Sequence, residues 1–327
     1  MKLVRSTLVA IAVLLTLTTS AFAQTRVNPP QMFVFGDSLS DTGNDLIATS
    51  ETPVPIPPPQ MYYQGRFTNG PTAFEYLWGM LRPDAPLASI PSLALTSLPQ
   101  NRSVSFAFGG SGSGVETITP GGFYVPGLKG QISMFQQLLR GRRAPSDALY
   151  AIWTGPNDYP GEPNRPFLSP EQVVGNIGES VIRLYLMGAR KILVVNLPDL
   201  ISPGAAPDPQ VSAIVAKHNR LLKLTLAILD TLLPGLDIIR GDVTGVAPSL
   251  LGEFNFDIPL VEVLVPSLPG QVPNSACLFV DPSVCPAVPT FAMDAKFLFW
   301  DAGHPSTAAH ERVAEALIGP VRRSLRR

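Results

Sequence analysis

The amino-acid sequence predicts an α/β fold, in which helices cover both faces of a mainly parallel sheet of five strands. Short apolar runs rich in β-forming residues alternate with longer segments of helical periodicity, and this alternation is typical of a parallel sheet. The chain has 327 residues, 45% of them hydrophobic and 15% charged, so it can bury a sizeable core. The alternation continues through the proline-rich stretches, and we therefore expect one domain over residues 24–327.

The predicted strands are five apolar runs, each of them too short for a helix of usual length. In chain order they are residues 32–35, 104–108, 148–154, 191–196 and 236–240. The other segments place apolar residues at the spacing of one helical face. These helices are predicted at residues 71–81, 130–139, 170–187, 211–232 and 306–325. Strands joined through helical crossovers run parallel, which makes the sheet mainly parallel.

Residues 1–23 have the pattern of a cleavable signal peptide. Lys2 and Arg5 give it a positive start, residues 8–17 are apolar, and alanine stands at positions 21 and 23. A membrane anchor is the alternative, but the apolar run is shorter than the roughly 20 residues that a spanning helix needs. We therefore expect cleavage before Gln24, a secreted or periplasmic protein, and no transmembrane segment in the mature chain.

The charge balance argues against nucleic acid as the main partner. The chain has 24 Lys and Arg residues against 25 Asp and Glu residues, so its formal net charge is −1 at pH 7. Nucleic-acid binding usually needs a basic excess. A small or neutral ligand is the expected partner.

The two cysteines, Cys277 and Cys285, lie close together in a loop-like region. An oxidising compartment would let them form a disulfide, and two free thiols are the alternative. A metal site is not expected there, because no histidine or third cysteine lies nearby.

Glycine-rich and polar motifs follow the predicted strands, where ligands bind in an open parallel sheet. The first three motifs are Gly-Asp-Ser at 36–38, Gly-Gly-Ser-Gly at 109–112 and Gly-Pro-Asn-Asp at 155–158. A fourth, Asp-Ala-Gly-His at 301–304, precedes the last helix. Each motif alone has a structural explanation as a helix cap or a tight turn. Together they supply the parts of a serine hydrolase.

The general base must be one of the three histidines in the chain. His218 lies in a polar stretch of a helical run and His310 lies inside the last helix, so we expect both at the surface. His304 follows Asp301 by three residues, a spacing that lets the carboxylate orient the imidazole and stabilise its protonated form. This pair therefore supplies the base and the orienting acid that a nucleophilic Ser38 requires.

Acyl transfer also requires hydrogen-bond donors for the negative oxygen of the tetrahedral intermediate. Backbone amides and a side-chain amide serve this purpose as fixed dipoles, each worth a few kcal/mol. The backbone N–H of Ser38, the backbone N–H of Gly110 and the side-chain amide of Asn157 are the candidates. All three follow predicted strands, so they can converge at one edge of the sheet.

The four motifs, taken in this order, resemble the four blocks of the SGNH or GDSL hydrolase family. Longer matches resemble its plant-type and secreted bacterial branch: Phe-Gly-Asp-Ser-Leu-Ser-Asp-Thr-Gly-Asn at 35–44, Gly-Arg-Phe-Thr-Asn-Gly-Pro at 65–71 and Phe-Trp-Asp at 299–301. The second block departs from the family, which often has asparagine where this chain has Ser105. The departure leaves Gly109 as an alternative to Gly110, although counting from Ala107 favours Gly110.

The resemblance implies a three-layer α/β/α sandwich of the flavodoxin-like type. It implies Ser38 as nucleophile, His304 as general base and then acid, Asp301 as its orienter, and Ser38, Gly110 and Asn157 around the oxyanion. The function implied is that of a secreted carboxylic ester hydrolase, an esterase or lipase-type acylhydrolase, that needs neither metal nor cofactor. Short acyl esters, lysophospholipids and O-acetylated carbohydrates all remain possible substrates.

Two alternatives come from other functional classes. A catalytically silent module that binds glycans or lipids could use the same scaffold, but it would be expected to lose Ser38, His304 or Asn157, and all three are present. A phosphoryl-transfer enzyme could use Asp37 and Asp41 around Mg²⁺, but no P-loop lysine supports it. The segment 53–70 either walls the site with its aromatic residues or contributes them to the core.

Overall fold

The computed structural model describes residues 28–119, 122–159, 167–198, 208–246, 298–301 and 303–327. The strands described are β1 (Met32–Gly36), β2 (Ile90–Pro91), β3 (Ser103–Ser105), β4 (Glu116–Ile118), β5 (Tyr124–Pro126), β6 (Leu149–Trp153), β7 (Lys191–Val195) and β8 (Asp237–Gly241). The helices described are α1 (Asn44–Ala48), α2 (Ala73–Leu81), α3 (Leu128–Leu139), α4 (Pro170–Met187), α5 (Pro209–Leu232) and α6 (Thr307–Leu325). The predicted signal peptide, Cys277 and Cys285 lie outside the described residues.

The main sheet is parallel throughout, with the strand order β2-β3-β1-β6-β7-β8. The predicted α/β class and all five predicted strands are confirmed. The sheet has a sixth, two-residue edge strand, β2, which is too short to show any periodicity in the sequence. Strands β4 and β5 form a separate antiparallel hairpin that the sequence did not predict.

Two hydrophobic cores, one on each face of the sheet, make the fold three layers. Along β1, Phe33 and Phe35 pack into the core covered by α3, α4 and α5, whereas Met32 and Val34 pack into the core covered by α2 and α6. Successive side chains of a strand point to opposite faces. A strand that is covered on both faces therefore reads as a continuous apolar run.

Local capping sets where the helices begin. Helix α4 has the predicted bounds, and the hydroxyl of Ser169 accepts a hydrogen bond from the backbone N–H of Gln172. Helix α2 begins at Ala73 rather than at the predicted position 71, because Thr72 is its extended N-cap and Glu75 accepts the Thr72 backbone N–H at 2.9 Å. Both arrangements are capping boxes.

The second predicted strand is shorter than expected, since β3 ends at Ser105 rather than at position 108. The side-chain amide of Asn44, at the start of α1, donates to the carbonyls of Ser105 and Ala107 at 2.9 Å each. A side chain at the start of α1 thus takes carbonyls that a longer strand would use. Across the described residues, no helix combines the length and apolar character needed to cross a membrane.

Candidate active site

The Gly-Asp-Ser motif forms a tight turn at the carboxyl end of β1. The backbone carbonyl of Asp37 accepts the N–H groups of Ser40 and Asp41 at 2.9 and 3.0 Å, and its carboxylate accepts the N–H of Leu39 at 3.0 Å. Ser38 lies at the apex of this turn and is half-buried. Within the described residues its hydroxyl makes no hydrogen bond, so the structure does not bring it into direct contact with His304.

A glutamine of α3 holds the end of β1 in place. The side-chain oxygen of Gln131 accepts the N–H of Gly36 at 2.9 Å, and its nitrogen donates to the Gly36 carbonyl and to the Ser111 hydroxyl, both at 2.8 Å. Gln131 therefore connects the Gly-Asp-Ser turn to the second motif. Sequence reasoning missed it, although a glutamine on the apolar face of a helix is itself a signal of a buried polar contact.

Asp301 and His304 form a compact pair in the loop before α6. The two carboxylate oxygens of Asp301 lie 2.7 and 2.9 Å from Nδ1 of His304. One of these oxygens also accepts the backbone N–H groups of Gly303 and His304, each at 2.8 Å. Asp301 is buried, whereas the His304 side chain is 18% exposed. The imidazole is thus oriented from one side and accessible from the other.

Electrostatics make His304 a stronger base than an ordinary histidine. Burial disfavours its protonated form, but the charge and hydrogen bond of Asp301 and the charge of Asp37 outweigh burial and raise the pKa of His304. Burial likewise opposes ionisation of Asp301, but His304 and the hydrogen bonds to the carboxylate lower the pKa of Asp301 below its ordinary value. Asp301 is therefore a carboxylate beside an imidazole that accepts protons readily.

The end of β1 lies close enough to His304 for their charges to interact. Burial raises the pKa of Asp37 to about 7, the charge of His304 opposes that rise, and the charge of Asp158 adds to it. Asp158 follows β6, so the loops after β1 and β6 and the loop before α6 meet at one place. In unliganded enzymes a serine–histidine hydrogen bond is often long and tightens when substrate binds.

The structure distinguishes the two glycines of the second motif. The backbone N–H of Gly109 lies close enough to the buried carboxylates of Asp41 and Asp45 to favour their charged forms. A Cβ atom at position 109 would lie 2.3 Å from the ring of Phe67. Gly110 has a φ of +72°, in the left-handed region that favours glycine. Because the amide of Gly109 faces these buried carboxylates, Gly110 is the better candidate for an oxyanion donor.

Asn157 lies beside the second motif, in the 3₁₀ turn Pro156–Asp158 after β6. Its side-chain nitrogen donates to the backbone carbonyl of Ser111 at 3.1 Å, one residue beyond Gly110. The Asp158 carboxylate accepts the N–H of Ser113 at 2.9 Å. These contacts bridge the second and third motifs and hold the amide of Asn157 next to the loop that carries Gly110.

The prediction that His218 and His310 lie at the surface is wrong, because both side chains are fully buried. His218 lies on the inner face of α5, and its Nδ1 is 2.7 Å from the hydroxyl of Tyr159. Nδ1 of His310 accepts the backbone N–H of Ala73, the first residue of α2, at 3.2 Å. Burial lowers the pKa of His218 to about 4, and burial together with the charge of His304 lowers the pKa of His310 to about 3.

The spacing of apolar neighbours could have revealed the buried position of His218. Val215 and Leu222 lie three residues before and four residues after it, on the same helical face, and both are buried. His310 likewise precedes the buried residues Val313 and Ala314 on α6. Polar neighbours in sequence concealed this periodicity, since they occupy the other faces of the helices.

The aromatic residues of the segment 53–70 are mainly core, and two of them contact the Asp301–His304 pair. The hydroxyl of Tyr62 donates to the Asp301 carboxylate at 2.6 Å. The ring centroid of Phe67 lies 5.3 Å from that of His304, at an interplanar angle of 34°. Tyr62 is a site residue that sequence reasoning did not single out for its hydroxyl.

Asp41 and Asp45 form a buried acid pair behind the second motif. Asp41 accepts the backbone N–H groups of Gly43, Asn44 and Asp45 at 2.8, 2.7 and 3.2 Å. Burial raises the pKa of Asp41 to about 6, and burial with the charge of Asp41 raises the pKa of Asp45 well above its ordinary value. Of the two acids, Asp41 is the one whose charge backbone N–H groups stabilise, and it disfavours ionisation of Asp45. Because the Asp41 oxygens face backbone amides, they are poorly disposed to bind Mg²⁺.

Asp45→Asn is expected to stabilise the protein relative to wild type by an amount that grows as the pH rises. The unfolded chain ionises Asp45 near the ordinary pKa of 3.8, whereas the folded protein loses this proton only at a higher pH because the pKa is raised. The protonated Asp45 contributes its full stability below the pKa of the unfolded chain. As the pH rises from there towards the pKa in the folded protein, the free energy of unfolding falls by up to about 1.4 kcal/mol per pH unit. Urea unfolding of both proteins at pH 5 and pH 8 measures the difference in their free energies of unfolding. A difference independent of pH would contradict the raised pKa of Asp45.

Comparison with known proteins shows which family the sequence matches. A family model described as GDSL-like lipase/acylhydrolase matches residues 32–317. The phosphatidylcholine-sterol acyltransferase of Aeromonas hydrophila is 31% identical over 204 residues, which cover 61% of this chain and 55% of that protein. A GDSL esterase/lipase of Arabidopsis thaliana is 26% identical over 332 residues, covering 88% of this chain and 86% of that protein. Among solved structures, an acetylxylan esterase from Geobacillus stearothermophilus has a TM-score of 0.46 at 13% identity, covering 89% of this chain and 94% of that chain.

Proposed function

The chain belongs to the GDSL-like lipase/acylhydrolase family and is a hydrolase of ester bonds, and we propose that it cleaves carboxylic esters through an acyl-enzyme on Ser38. The observation that carries the proposal is the 2.7 Å contact between Asp301 and Nδ1 of His304, beside the turn in which Ser38 lies. A histidine oriented in this way at the carboxyl edge of a parallel sheet is suited to take a proton from a nearby hydroxyl.

The proposed reaction begins when Ser38 Oγ attacks the ester carbonyl and its proton moves to Nε2 of His304. The N–H groups of Ser38 and Gly110 and the side-chain amide of Asn157 stabilise the oxygen that becomes negative. When the intermediate collapses, His304 gives the proton to the departing alkoxide. A water molecule then attacks the acyl-enzyme while His304 takes its proton, and the carboxylic acid leaves. Asp301 stabilises the imidazolium in both halves of the reaction.

Substrate candidates follow from the chemistry and from the relatives. The proposed classes are short acyl esters, lysophospholipids and O-acetylated carbohydrates, and the Aeromonas relative is named a phosphatidylcholine-sterol acyltransferase. We propose that the physiological ester lies outside the cytoplasm, because residues 1–23 have the pattern of a signal peptide. For the exported protein we expect an N-terminus at Gln24. We also expect an intact mass two hydrogens below that of the reduced protein, because of a disulfide between Cys277 and Cys285.

The proposal is tested by hydrolysis of p-nitrophenyl esters from acetate to palmitate, combined with labelling by a fluorophosphonate. We expect turnover that EDTA does not reduce, and one adduct on the peptide that contains Ser38. The acyl length with the highest kcat/KM would then narrow the substrate class. An adduct on a different serine, or activity lost in EDTA and restored by Mg²⁺, would contradict the mechanism.

Asn157→Ala is expected to lower kcat by about 100-fold with little change in KM, as the loss of one oxyanion donor does. The amide would act mainly on the charge that develops in the transition state, so ground-state binding is affected less. Asn196→Ala is the matched control, because Asn196 also follows a strand but donates to Asp242 at 2.9 Å, near the surface. Equal kcat values for the two variants would remove Asn157 from the oxyanion site.

A further inference from the structure

Residues 61–71, here called the brace segment, contact the Asp301–His304 loop at several points. The indole N–H of Trp300 donates to the carbonyl of Met61 at 3.0 Å. At the other end of the segment, the side-chain oxygen of Asn69 accepts the backbone N–H of Thr307 at 2.8 Å, and the Thr307 hydroxyl donates to the carbonyl of Pro71 at 3.0 Å. The loop that carries the base is thus held on both sides of His304 by a segment more than 200 residues earlier in the chain.

Tyr62 is the member of the brace segment that contacts the acid itself. Its hydroxyl donates to Oδ2 of Asp301 at 2.6 Å, the same oxygen that lies 2.7 Å from Nδ1 of His304. Oδ1 meanwhile accepts the backbone N–H groups of Gly303 and His304. The carboxylate therefore receives donors on both oxygens, which fixes its rotation and leaves it no alternative orientation.

The hydroxyl of Tyr62 remains a donor throughout the working pH range. Tyr62 is 4% exposed. Burial, the charge of Asp301 and the hydrogen bond to it raise the pKa of Tyr62 well above its ordinary value. Towards a carboxylate a neutral tyrosine hydroxyl can only donate, and its acceptor here is Asp301, the acid that orients the base.

We propose that Tyr62 is a positioning residue for the general base, acting on His304 through the Asp301 carboxylate. The inference rests on the proposed function. Besides orienting Asp301, the hydroxyl of Tyr62 partly neutralises the negative charge of the carboxylate, and this weakens the attraction between Asp301 and a protonated His304. Removal of the hydroxyl should therefore misalign the pair and strengthen the attraction between Asp301 and the imidazolium, which keeps His304 protonated to a higher pH.

Other ionisable groups also face His304 and contribute to its titration. Asp37 approaches from the end of β1 and raises the pKa of His304, and His310 lies behind it on α6 with a pKa lowered to about 3. Both groups are unchanged when Tyr62 is altered. The acid limb of the pH–rate profile is the fall in kcat at low pH, where the base becomes protonated. A difference in its position between wild type and a Tyr62 variant therefore reports on the contact between Tyr62 and Asp301.

The test compares Tyr62→Phe with Tyr63→Phe, which makes the same chemical change one residue later. Tyr63 forms a cation–π contact with Arg66, and its hydroxyl makes no hydrogen bond in the described part of the chain. For Tyr62→Phe we expect kcat about tenfold lower, KM within about twofold, and an acid limb displaced to higher pH. Tyr63→Phe should match wild type in all three measurements.

A second substitution keeps the proposal testable if Tyr62→Phe folds poorly. Incorporation of 3-fluorotyrosine at position 62 retains the ring and hydroxyl and makes the hydroxyl a stronger donor, so the acid limb should move to lower pH, opposite to Tyr62→Phe. An acid limb unchanged in the 3-fluorotyrosine protein would overturn the proposal. So would wild-type kcat and pH dependence in a folded Tyr62→Phe. If Ser38→Ala is inactive in the same assay, the proposed function stands and only the role of Tyr62 fails.

Discussion

Ser38→Ala is expected to lower kcat for p-nitrophenyl esters by at least about 10⁴-fold while the protein remains folded. Without the hydroxyl no acyl-enzyme can form, and His304 can act only on water that no residue holds in position. The remaining oxyanion donors retain some rate above that of the uncatalysed reaction. KM should change little, because the hydroxyl contributes mainly to the transition state.

Ser40→Ala is the matched control for that variant. Ser40 lies in the same turn and is buried, but its hydroxyl has no hydrogen-bond partner within the described residues. Its backbone N–H donates to the Asp37 carbonyl at 2.9 Å, and alanine retains that contact. Ser40→Ala should keep kcat within about twofold of wild type. Wild-type turnover by Ser38→Ala, or an equal loss in both variants, would refute Ser38 as nucleophile.

Local patterns in the sequence were sufficient for most of the fold. All five predicted strands and all five predicted helices are present, because a strand covered on both faces and a helix covered on one face have distinct apolar spacings. The shifts occur where a side chain from elsewhere intervenes. Asn44 takes the carbonyls of Ser105 and Ala107 and shortens β3, and no local pattern around position 105 records that contact.

The site was predictable where its partners are neighbours in sequence and not where they are distant. Asp301 and His304 are three residues apart, so their contact follows from the chemistry of the two side chains and the length of one loop. The Tyr62 hydroxyl reaches the same carboxylate across 239 residues, and Gln131 reaches Gly36 across 95. Contacts of that range depend on how whole elements pack, which composition and spacing do not specify.

The choice between the two glycines of the second motif shows the same dependence on tertiary structure. Counting along the sequence favoured Gly110 but left Gly109 open. The N–H of Gly109 faces the buried carboxylates of Asp41 and Asp45, which come from the loop after β1 and from α1. An amide that faces buried carboxylates is costly to turn towards a ligand, and this energetic reason supports Gly110 in a way that the motif alone did not.

Asp301→Asn is expected to lower kcat by about 10⁴-fold, and the surroundings of Asp301 explain why so small a change is so costly. Four donors converge on this carboxylate: the backbone N–H groups of Gly303 and His304, the hydroxyl of Tyr62 and Nδ1–H of His304. An asparagine must turn its NH₂ towards one of these donors. The imidazole can relieve the clash by moving its proton to Nε2, but Nε2 can then no longer accept the proton of Ser38.

Asp242→Asn is the control for this substitution, because Asp242 follows β8 and accepts hydrogen bonds from Asn196 and Thr244, outside the site. It should retain wild-type kcat. Measured over pH 5 to 9 beside Tyr62→Phe, Asp301→Asn should show the far larger loss, because Tyr62→Phe removes one donor and leaves the carboxylate to hold the correct tautomer. A smaller loss in Asp301→Asn than in Tyr62→Phe would mean that His304 is oriented by something other than Asp301. The Asp301–His304 contact could then no longer carry the proposed mechanism.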